Sequence, residues 1–532
     1  MIPRDPAQTD MEERDQTFHR LMDENNPLKT CAAVLAEYRV AAKATICRDF
    51  IAAVDAGLLP GTWRLDIKLN NKYRAALNAV QNRAIEYQNV FAEYQKLFNK
   101  PSQLFYRSLV YELRRAYEGL PEFHVIIKTL GLQSEITPAC NGDFIARDRD
   151  KVILNCSYIL SCLGDLCRWR EELAHGTASL PRDWRSVVAY YKLAGFVYPR
   201  SGRYNHQLGA LMSKTGDSLS AIYYFYRAVT AATTDNECEK SLRRELHTVG
   251  KAVFAKSSSE RSREDILVDT FLILQSHDFD KETIQYSREL EEAFLDDMGS
   301  ALQHSTCEAF CKSVALKLVL TNFAAEYRLT VSKPDAVENP HQVQQSFVYR
   351  RINLRTCLVV FNESKKEIRT ASPSYREQPG SNDLYVMAKP ITPRARLLLS
   401  LARVCSAWLL RNYSETQDRP ADTHEKSAWR AYATLLSVFA SRFPANELPT
   451  ADYMLEEDEE TFGFAPLRNE KLIRRWETRS GLRKTSYSLQ DSRHSEEVEA
   501  LVRVRDILTD GLMMVSEGKG LKLKGTVFAY ES

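Results

Sequence analysis

Basic side chains recur at helical spacing in one N-terminal segment of the chain. Arg64, Lys68 and Lys72 lie four residues apart, so in a helix they share one face. Most rows of this kind are the solvated edge of a helix. The alternative is an anion site, because cations on a rigid helix suit a phosphate dianion, above all where a second helix adds an arginine.

The sequence contains little that points to a metal or to catalysis. His304, Cys307 and Cys311 share a helical face, but without a second pair of ligands structural packing is the favoured interpretation. No phosphate-cradling GxxxxGK[ST] loop, no GxSxG elbow and no paired zinc-ligand motif is present. We therefore expect no catalytic residue, no metal and no cofactor.

The composition is that of a large globular protein. With 532 residues, 44% of them apolar, two or more domains are expected. The net charge of +2 argues against a polycation that binds nucleic acid in bulk, but is compatible with a local basic patch. No apolar run approaches the roughly 20 residues that span a bilayer, and the acidic N-terminus resembles no signal peptide. The 11 scattered cysteines favour a reducing compartment, with thiols acting as small buried apolar groups.

Helical periodicity dominates the chain. Residues 1–26 are interpreted as a flexible tail, and apolar residues at helical spacing follow from residue 27 onward. Residues 362–393 form a polar stretch that is interpreted as a loop. The final residues, GLKLKGTVFAYES, predict a short strand or a partner-binding tail.

Residues 183–228 contain a short internal sequence repeat. Residues 190–191 (Tyr-Tyr) and Ala194 recur thirty-four positions later as residues 224–225 (Tyr-Phe) and Ala228. This period is typical of tetratricopeptide units, in which pairs of helices stack on one another. The small alanine allows a neighbouring helix to approach closely, and the dense tyrosines are expected in the core rather than stacked on bases.

Three blocks of sequence together resemble one family. They are residues 199–224, with PRSGRYNHQLG followed by AIYY, residues 393–410, which end in SAWLL, and residues 455–467, LEEDEETFGFAPL. The chain resembles the ever-shorter-telomeres/SMG family of nonsense-mediated mRNA decay and telomerase-associated factors. It departs from the family pattern by the inserted His206 and by lacking an Asp before Trp408.

The resemblance implies an all-α fold with two modules. Residues 27–235 would form a 14-3-3-like domain with tetratricopeptide-type repeats, and residues 236–532 an α-helical hairpin domain with a polar loop near residues 362–393. Some family members end in a PIN nuclease domain, whose strands place metal-binding carboxylates. Nothing after Leu467 has an αβ pattern long enough for such a domain, so we expect a protein that is not an enzyme.

The resemblance also implies a phosphopeptide site. In the phosphoserine-binding branch a Lys follows an early Trp by five residues, as Lys68 follows Trp63, and an Arg lies in a G-D-[IL]-x-R-[YW] motif. Residues 164–169 (GDLCRW) match that motif, so Arg168 becomes the bidentate donor and Lys68 a mobile point charge. Lys72 extends the same basic row.

Two more residues complete the implied site. Trp169 would line the groove and pack against the ligand backbone, and Asn205 would hydrogen-bond the bound peptide, as helix asparagines do in 14-3-3 proteins. The alternative for Arg168 is an ion pair along its own helix with Asp165 or Glu172.

By this resemblance the chain would be a non-enzymatic adaptor in the cytoplasm. It would bind the phosphorylated up-frameshift RNA helicase, pair with a paralogous SMG subunit as a heterodimer, and recruit phosphatase or deadenylase machinery. Two alternatives stay open, a telomerase-associated or RNA-binding factor and a scaffold with a vestigial phosphate pocket, as does shuttling to the nucleus.

Overall fold

A computed structural model shows a protein that is 82% helical, which confirms the all-α prediction. The chain divides into two compact units, Met1–Pro199 and Arg200–Ser532. The structure describes residues 6–531 apart from 25, 118–119, 121, 132–141, 175–180, 235, 256–261, 277–287, 305–309, 332–339, 371–383, 413–422, 479–483 and 485–492.

The first unit is built from helices α1 to α9. A π-helical turn, Tyr94–Asn99, joins α5 directly to α6. The helices are α1 Pro6–Asp23, α2 Leu28–Arg48, α3 Phe50–Asp55, α4 Leu58–Ala79, α5 Ala84–Glu93, α6 Lys100–Ala116, α7 Glu122–Leu130, α8 Gly142–Leu173 and α9 Arg185–Val197.

The N-terminal segment differs from the flexible tail predicted for residues 1–26. Most of it forms α1, which packs against α2. Phe18 is fully buried, and Arg14 on α1 pairs with Glu37 on α2 at 2.7 Å. The burial of this aromatic side chain compensates for the entropy of ordering a short polar helix.

A buried polar cluster fixes α2, α4 and α6 relative to one another. The carboxylate of Asp66, fully enclosed on α4, accepts hydrogen bonds from Arg39, from Ser102 Oγ at 3.2 Å and from Tyr106 OH at 2.7 Å. Every partner comes from another helix, so loss of the carboxylate would leave a buried guanidinium unpaired. The cluster therefore sets how α4 is rotated.

The second unit contains helices α10 to α21 and a terminal hairpin. Short π-helical and 3₁₀ segments occur at Phe310–Ala315, Ala465–Leu467 and Glu470–Arg475. The helices and strands are α10 Arg203–Thr215, α11 Ser218–Val229, α12 Asn236–Ala255, α13 Arg263–Ser276, α14 Arg288–His304, α15 Leu316–Thr330, α16 Pro340–Thr370, α17 Leu384–Ala388, α18 Pro393–Asn412, α19 Thr423–Arg442, α20 Glu456–Thr461, α21 Glu496–Ser516, β1 Leu521–Lys524 and β2 Val527–Tyr530.

The three sequence blocks come together in the second unit. Tyr223 OH on α11 donates to Glu460 Oε2 on α20 at 2.8 Å, and Arg411 on α18 donates to the carbonyl of Pro466 at 3.1 Å. The tyrosines of residues 223–226 are buried, which confirms the expectation that they belong to the core. The three blocks thus form one packed region rather than three separate sites.

An arginine-centred cluster lies at the centre of this region. Arg403 donates to Asp458 at 2.6 and 2.9 Å, to Asp506 at 2.6 Å and to Glu457 at 3.1 Å. Arg503 donates to both oxygens of Glu457 at 2.9 and 3.0 Å. Only 1% of the Arg403 side chain is exposed, so the cluster is a buried ionic core that holds α18, α20 and α21 together.

The unit boundary and one loop differ from the sequence-based expectations. The units divide at residues 199/200 instead of after residue 235, because α11 packs on α10, α12 and α15 of the second unit. The loop predicted near residues 362–393 is shorter, since α16 continues to Thr370 with Phe361 and Ile368 fully buried. Residues 371–383 of that loop lie outside the described residues.

The C-terminal strand and the buried cysteines are as expected where the structure describes the chain. β1 and β2 pair antiparallel, with Leu521 opposite Tyr530, which confirms a terminal strand. Nine cysteines lie in the described ranges, and eight of them are buried. Burial raises the pKa of Cys156 to about 12, so this thiol is an inert apolar filler. In those ranges no helix is long and apolar enough to cross a membrane.

Candidate functional site

The motif at residues 164–169 lies on α8, where its glycine and its aspartate both contact Tyr191 of α9. A Cβ on Gly164 would lie 2.5 Å from Tyr191 Cε1, closer than van der Waals contact permits. Tyr191 OH donates to Asp165 Oδ1 at 2.7 Å, and burial together with Asp165 raises the pKa of this phenol. Tyr191 therefore stays protonated and remains a donor.

Asp165 and Tyr191 in turn orient Arg168. Its Nη2 donates to Asp165 Oδ1 at 2.9 Å, and its Nε donates to Tyr191 OH at 3.3 Å. Burial favours the neutral form, but Asp165 and Tyr191 outweigh it and raise the pKa of Arg168. The guanidinium is thus a fixed cation, with 23% of its side chain still exposed.

Glu172 joins Arg168 to a second arginine. Arg168 Nη1 donates to Glu172 Oε1 at 3.3 Å, and Arg74 Nη2 on α4 donates to Glu172 Oε2. The ion pairs of Arg168 along its own helix, which the sequence offered as an alternative, are therefore present. Two guanidinium groups from two helices converge on one carboxylate.

Stacked tryptophans hold α4 and α8 together beside this pair. The rings of Trp63 and Trp169 are 5.0 Å apart and 9° from parallel, and both side chains are buried. Trp169 therefore contacts Trp63 in a packed layer next to Arg168. Arg74 follows Trp63 by eleven residues, close to three helical turns, so it projects from the same face of α4.

Lys68 and Lys72 contact α1 instead. Lys68 Nζ lies 2.7 Å from His19 Nδ1, and Lys72 Nζ donates to the carbonyl of Met22 at 2.7 Å. Within the described part of the chain no hydrogen bond or ion pair joins Lys68 to Arg168. The basic row of α4 and its Trp63 face thus point in different directions around the helix.

Asn205 belongs to α10 of the second unit. Its side chain is buried, and Oδ1 has no hydrogen-bond partner among the residues with described side chains. The inserted His206 has a packing role, since its Nε2 lies 2.9 Å from Ser241 Oγ on α12. A Cβ on Gly209 would lie 2.6 Å from the ring of Phe225, so this motif glycine lets α10 approach α11.

Sequence reasoning missed Arg74 and gave Glu172 only a local role. The spacing of Arg74 from Trp63, eleven residues, could have placed it on the face of α4 that meets α8. The four-residue spacing of the basic row favoured Lys68 instead. Glu172 was visible as a partner of Arg168 but not as a bridge between helices. No group of three or more potential metal ligands converges in the described parts of the chain, and Cys307 lies outside them.

A separate basic surface follows α12 in the second unit. Its exposed face carries, at helical spacing, Lys240, Arg243, Arg244, His247 and Lys251. Glu237 and Glu239 pair with the first two of these cations at 2.6 and 3.1 Å. Arg244 and Lys251 form no ion pair within the described ranges, so this end of the helix carries an excess of positive charge.

Two family models match the chain. The model described as the Est1 DNA/RNA binding domain matches residues 187–471, more than half of the chain. The model described as telomerase activating protein Est1 matches residues 58–174, a span that includes Trp63, Arg74 and Arg168. Together the two models cover α4 and α8, which carry Arg74 and Arg168, and α12, which carries the basic surface of the second unit.

Individual relatives are more distant. The Arabidopsis thaliana nonsense-mediated mRNA decay factor SMG7 is 31% identical over 130 residues, which are 24% of this chain and only 11% of that protein's length. The crystal structure of Est1 and Cdc13 is 13% identical, covers 98% of this chain and 99% of the matched chain, and has a TM-score of 0.67, which shows a shared fold. The Caenorhabditis elegans SMG5-SMG7 complex is 14% identical over 92% of this chain and 98% of the matched chain, with a TM-score of 0.44.

Proposed function

The chain belongs to the Est1/SMG family, and from that membership we propose that it is a non-enzymatic adaptor of nonsense-mediated mRNA decay. It binds a serine-phosphorylated segment of the up-frameshift RNA helicase through Arg168 on α8, and Trp169, which packs beside this arginine, supports it. It acts in the cytoplasm and brings phosphatase or deadenylase machinery to the helicase. The match to SMG7 supports this assignment.

The observation that carries the proposal is the fixed, partly exposed guanidinium of Arg168. Phosphoserine brings a charge of about −1.5 to −2 and three acceptor oxygens. Asp165 and Tyr191 hold Arg168 in one orientation, so little rotamer entropy is lost when an anion binds. An arginine oriented in this way matches the bidentate geometry that a phosphate requires.

The test is binding of a serine-phosphorylated helicase peptide, beside its unphosphorylated twin, to the full chain. We expect phosphate-dependent binding by the wild type and a loss of about 100-fold or more in Lys68→Glu/Arg168→Glu, because the guanidinium that pairs with the phosphate is replaced by a negative charge that repels it. The charge-matched control is Arg83→Glu/Arg185→Glu, which alters two exposed arginines of the same unit. Equal binding of both peptides to the wild type would overturn the proposal in favour of a scaffold with an inactive pocket.

We also propose a heterodimer with a paralogous SMG subunit. The proposal comes from family membership alone, and the contact surface is not part of it. Mixing the chain with a purified paralogue and measuring mass by light scattering tests it directly. A mass equal to the sum of one copy of each supports the heterodimer, whereas two separate monomer masses at micromolar concentration contradict it.

A second candidate function is binding of single-stranded RNA by the second unit. It is favoured by the basic face of α12 within the segment that matches the Est1 DNA/RNA binding domain. Cations along one helix face can follow a phosphate backbone without reading its sequence. The surface is small, so we expect weak binding that falls steeply as salt is raised.

The RNA proposal is tested by the salt dependence of affinity for a single-stranded oligonucleotide. Arg244→Glu/Lys251→Glu should weaken binding and reduce the slope of log affinity against log salt by about 1 to 2. Lys389→Glu/Arg430→Glu, an equal charge change at exposed residues of the same unit, should leave that slope within error of the wild type. An unchanged slope in the α12 variant would exclude this helix as the contact.

A further inference from the structure

We propose that Arg74 is the second guanidinium of the phosphate site, and that Glu172 occupies the anion position when no phosphate is bound. The inference rests on the proposed phosphoserine binding and deepens it. Arg74 on α4 and Arg168 on α8 then form a two-arginine cradle, a term used here for these two side chains and the carboxylate between them. Lys68 lies outside this cradle.

The geometry of the cradle suits a phosphate. Arg74 Nη2 and Arg168 Nη1 donate to the two oxygens of the same carboxylate, Oε2 and Oε1 of Glu172. Two oxygens of a phosphate are spaced much as the two oxygens of a carboxylate are, so one phosphate can replace both hydrogen bonds. Arginine pairs from two helices also bind an anion without needing a flexible side chain to be ordered.

The cradle has a donor that the carboxylate leaves unused. Among the residues that the structure describes, the buried Nε of Arg74 has no hydrogen-bond partner, and leaving a buried donor unpaired is unfavourable. Glu172 accepts from both arginines without reaching this Nε, whereas a phosphate offers a third oxygen. A bound phosphate therefore can satisfy a group that Glu172 cannot.

Solvent can reach the cradle from the arginine side. The exposed fractions are 33% for the Arg74 side chain and 23% for that of Arg168, against 6% for Glu172. The two cations thus face an incoming ligand, and the carboxylate lies beneath them. A phosphate enters between the arginines, and the Glu172 side chain must turn away from at least one of them.

Because Glu172 competes for the two arginines, we expect a ligand to bind only if it carries more negative charge than one carboxylate. A single carboxylate from a peptide offers the arginines nothing that Glu172 does not already provide at a far higher effective concentration. A phosphoserine near −2 outcompetes it because its Coulomb attraction to two cations is about twice as large. We therefore expect peptides with Asp or Glu in place of phosphoserine not to bind measurably.

The first test separates Arg74 from Lys68. Isothermal titration of the full chain with the phosphoserine helicase peptide should give about 10- to 100-fold weaker binding for Arg74→Ala. Arg74→Lys should also be weaker, because a single ammonium cannot replace the planar donors. Lys68→Ala should change affinity by less than about threefold, as should Arg64→Ala, an exposed arginine elsewhere on α4.

The second test removes the internal anion. Glu172→Gln should bind the phosphoserine peptide about tenfold more tightly, because the competing negative charge is gone. It should also begin to bind the Asp-substituted peptide, a change of specificity that a merely structural role for Glu172 would not produce. Glu171→Gln, which removes a neighbouring carboxylate bonded only to the adjacent Arg170 in the described structure, is the matched control.

The outcomes distinguish the inference from the function on which it rests. If the wild type shows no phosphate-dependent binding, the proposed function and this inference both fail. If the wild type binds but Arg74→Ala retains full affinity while Lys68→Ala loses it, only the inference is overturned. Circular dichroism and the melting temperature of Arg74→Lys, which keeps the charge beside Glu172, show whether a loss reflects misfolding.

Discussion

The two units each contain arginines that share carboxylates, and the two clusters differ in burial. In the second unit Arg403 is 1% exposed and meets Glu457, Asp458 and Asp506. In the first unit Arg74 and Arg168 are 33% and 23% exposed and meet on Glu172. The same chemistry is sealed in one place and open to solvent in the other.

The difference separates a structural role from a binding role. A sealed cluster cannot exchange its carboxylates for an outside anion, and removal of one partner leaves uncompensated charge in a low-dielectric interior. The partly exposed arginines Arg74 and Arg168 are screened by water, so their ion pairs contribute little to stability. They can also exchange one bound anion for another. This difference supports a stabilising role for the Arg403 cluster and is consistent with the ligand binding that we propose for the arginines of α4 and α8.

The largest effect is expected at Arg403. Arg403→Ala removes the shared partner of three carboxylates, and we expect the free energy of unfolding to fall by about 3–5 kcal/mol. Urea denaturation of the full chain, followed by far-ultraviolet circular dichroism, measures this loss. Arg430→Ala, at an exposed position on α19, should stay within about 0.5 kcal/mol of the wild type. A similar small loss at Arg403 would break the comparison.

The sealed cluster should also make the second unit sensitive to acid. Burial favours the protonated forms, but Arg503 and Arg403 lower the pKa of Glu457 to about 2, and Arg403 and Arg475 lower that of Asp506 to about 2. Because these folded-state values lie below the unfolded ones, the stabilisation is complete above about pH 5 and is lost as the pH falls towards 2.

The expected loss for Glu457 alone is about 3 kcal/mol over that range. Urea midpoints measured from pH 7 to pH 3 should fall steeply below pH 5 in the wild type and more gradually in Glu457→Gln. The neighbouring, more exposed Glu456 provides the control substitution to Gln. Identical pH profiles for Glu457→Gln and the wild type would show that the cluster does not carry this sensitivity.

An intermediate effect is expected at Gly164, which positions the open pair. Gly164→Ala forces the Tyr191 ring to move, and overpacking of this kind costs about 1–3 kcal/mol. The shift also removes the phenol from Asp165 and Arg168, so phosphoserine-peptide affinity should fall together with the melting temperature. Gly61→Ala on α4, whose nearest atom would be 3.9 Å away, should preserve both.

The smallest effect is expected from Arg74 in the absence of ligand. Arg74→Ala should lower the free energy of unfolding by about 1 kcal/mol or less, because its ion pair is partly solvated and Arg168 still neutralises Glu172. Urea denaturation of this variant beside Arg403→Ala provides a direct contrast between the clusters. A loss at Arg74 as large as that at Arg403 would mean that the open pair is structural too.

Much of the fold followed from the sequence, and particular residues show why. Helical spacing of apolar residues predicted an all-α protein, and the buried tyrosines of α11 and a strand near the C-terminus are as expected. The units divide at residues 199/200 rather than after residue 235, because α11 packs on α10, α12 and α15 of the second unit. The helix at residues 6–23 was missed because its polar composition hides one buried aromatic, Phe18.

Within the candidate site, the sequence alone identified Arg168 through the GDLCRW motif. Asp165 and Arg168 are three residues apart on one helix, so their contact follows from local helical geometry. The sequence also determined the helical face shared by Lys68 and Lys72. Only the tertiary structure decided which face of α4 meets α8. That choice depends on the rotation of α4, which the stacking of Trp63 on Trp169 and the burial of Asp66 among donors from other helices set at long range.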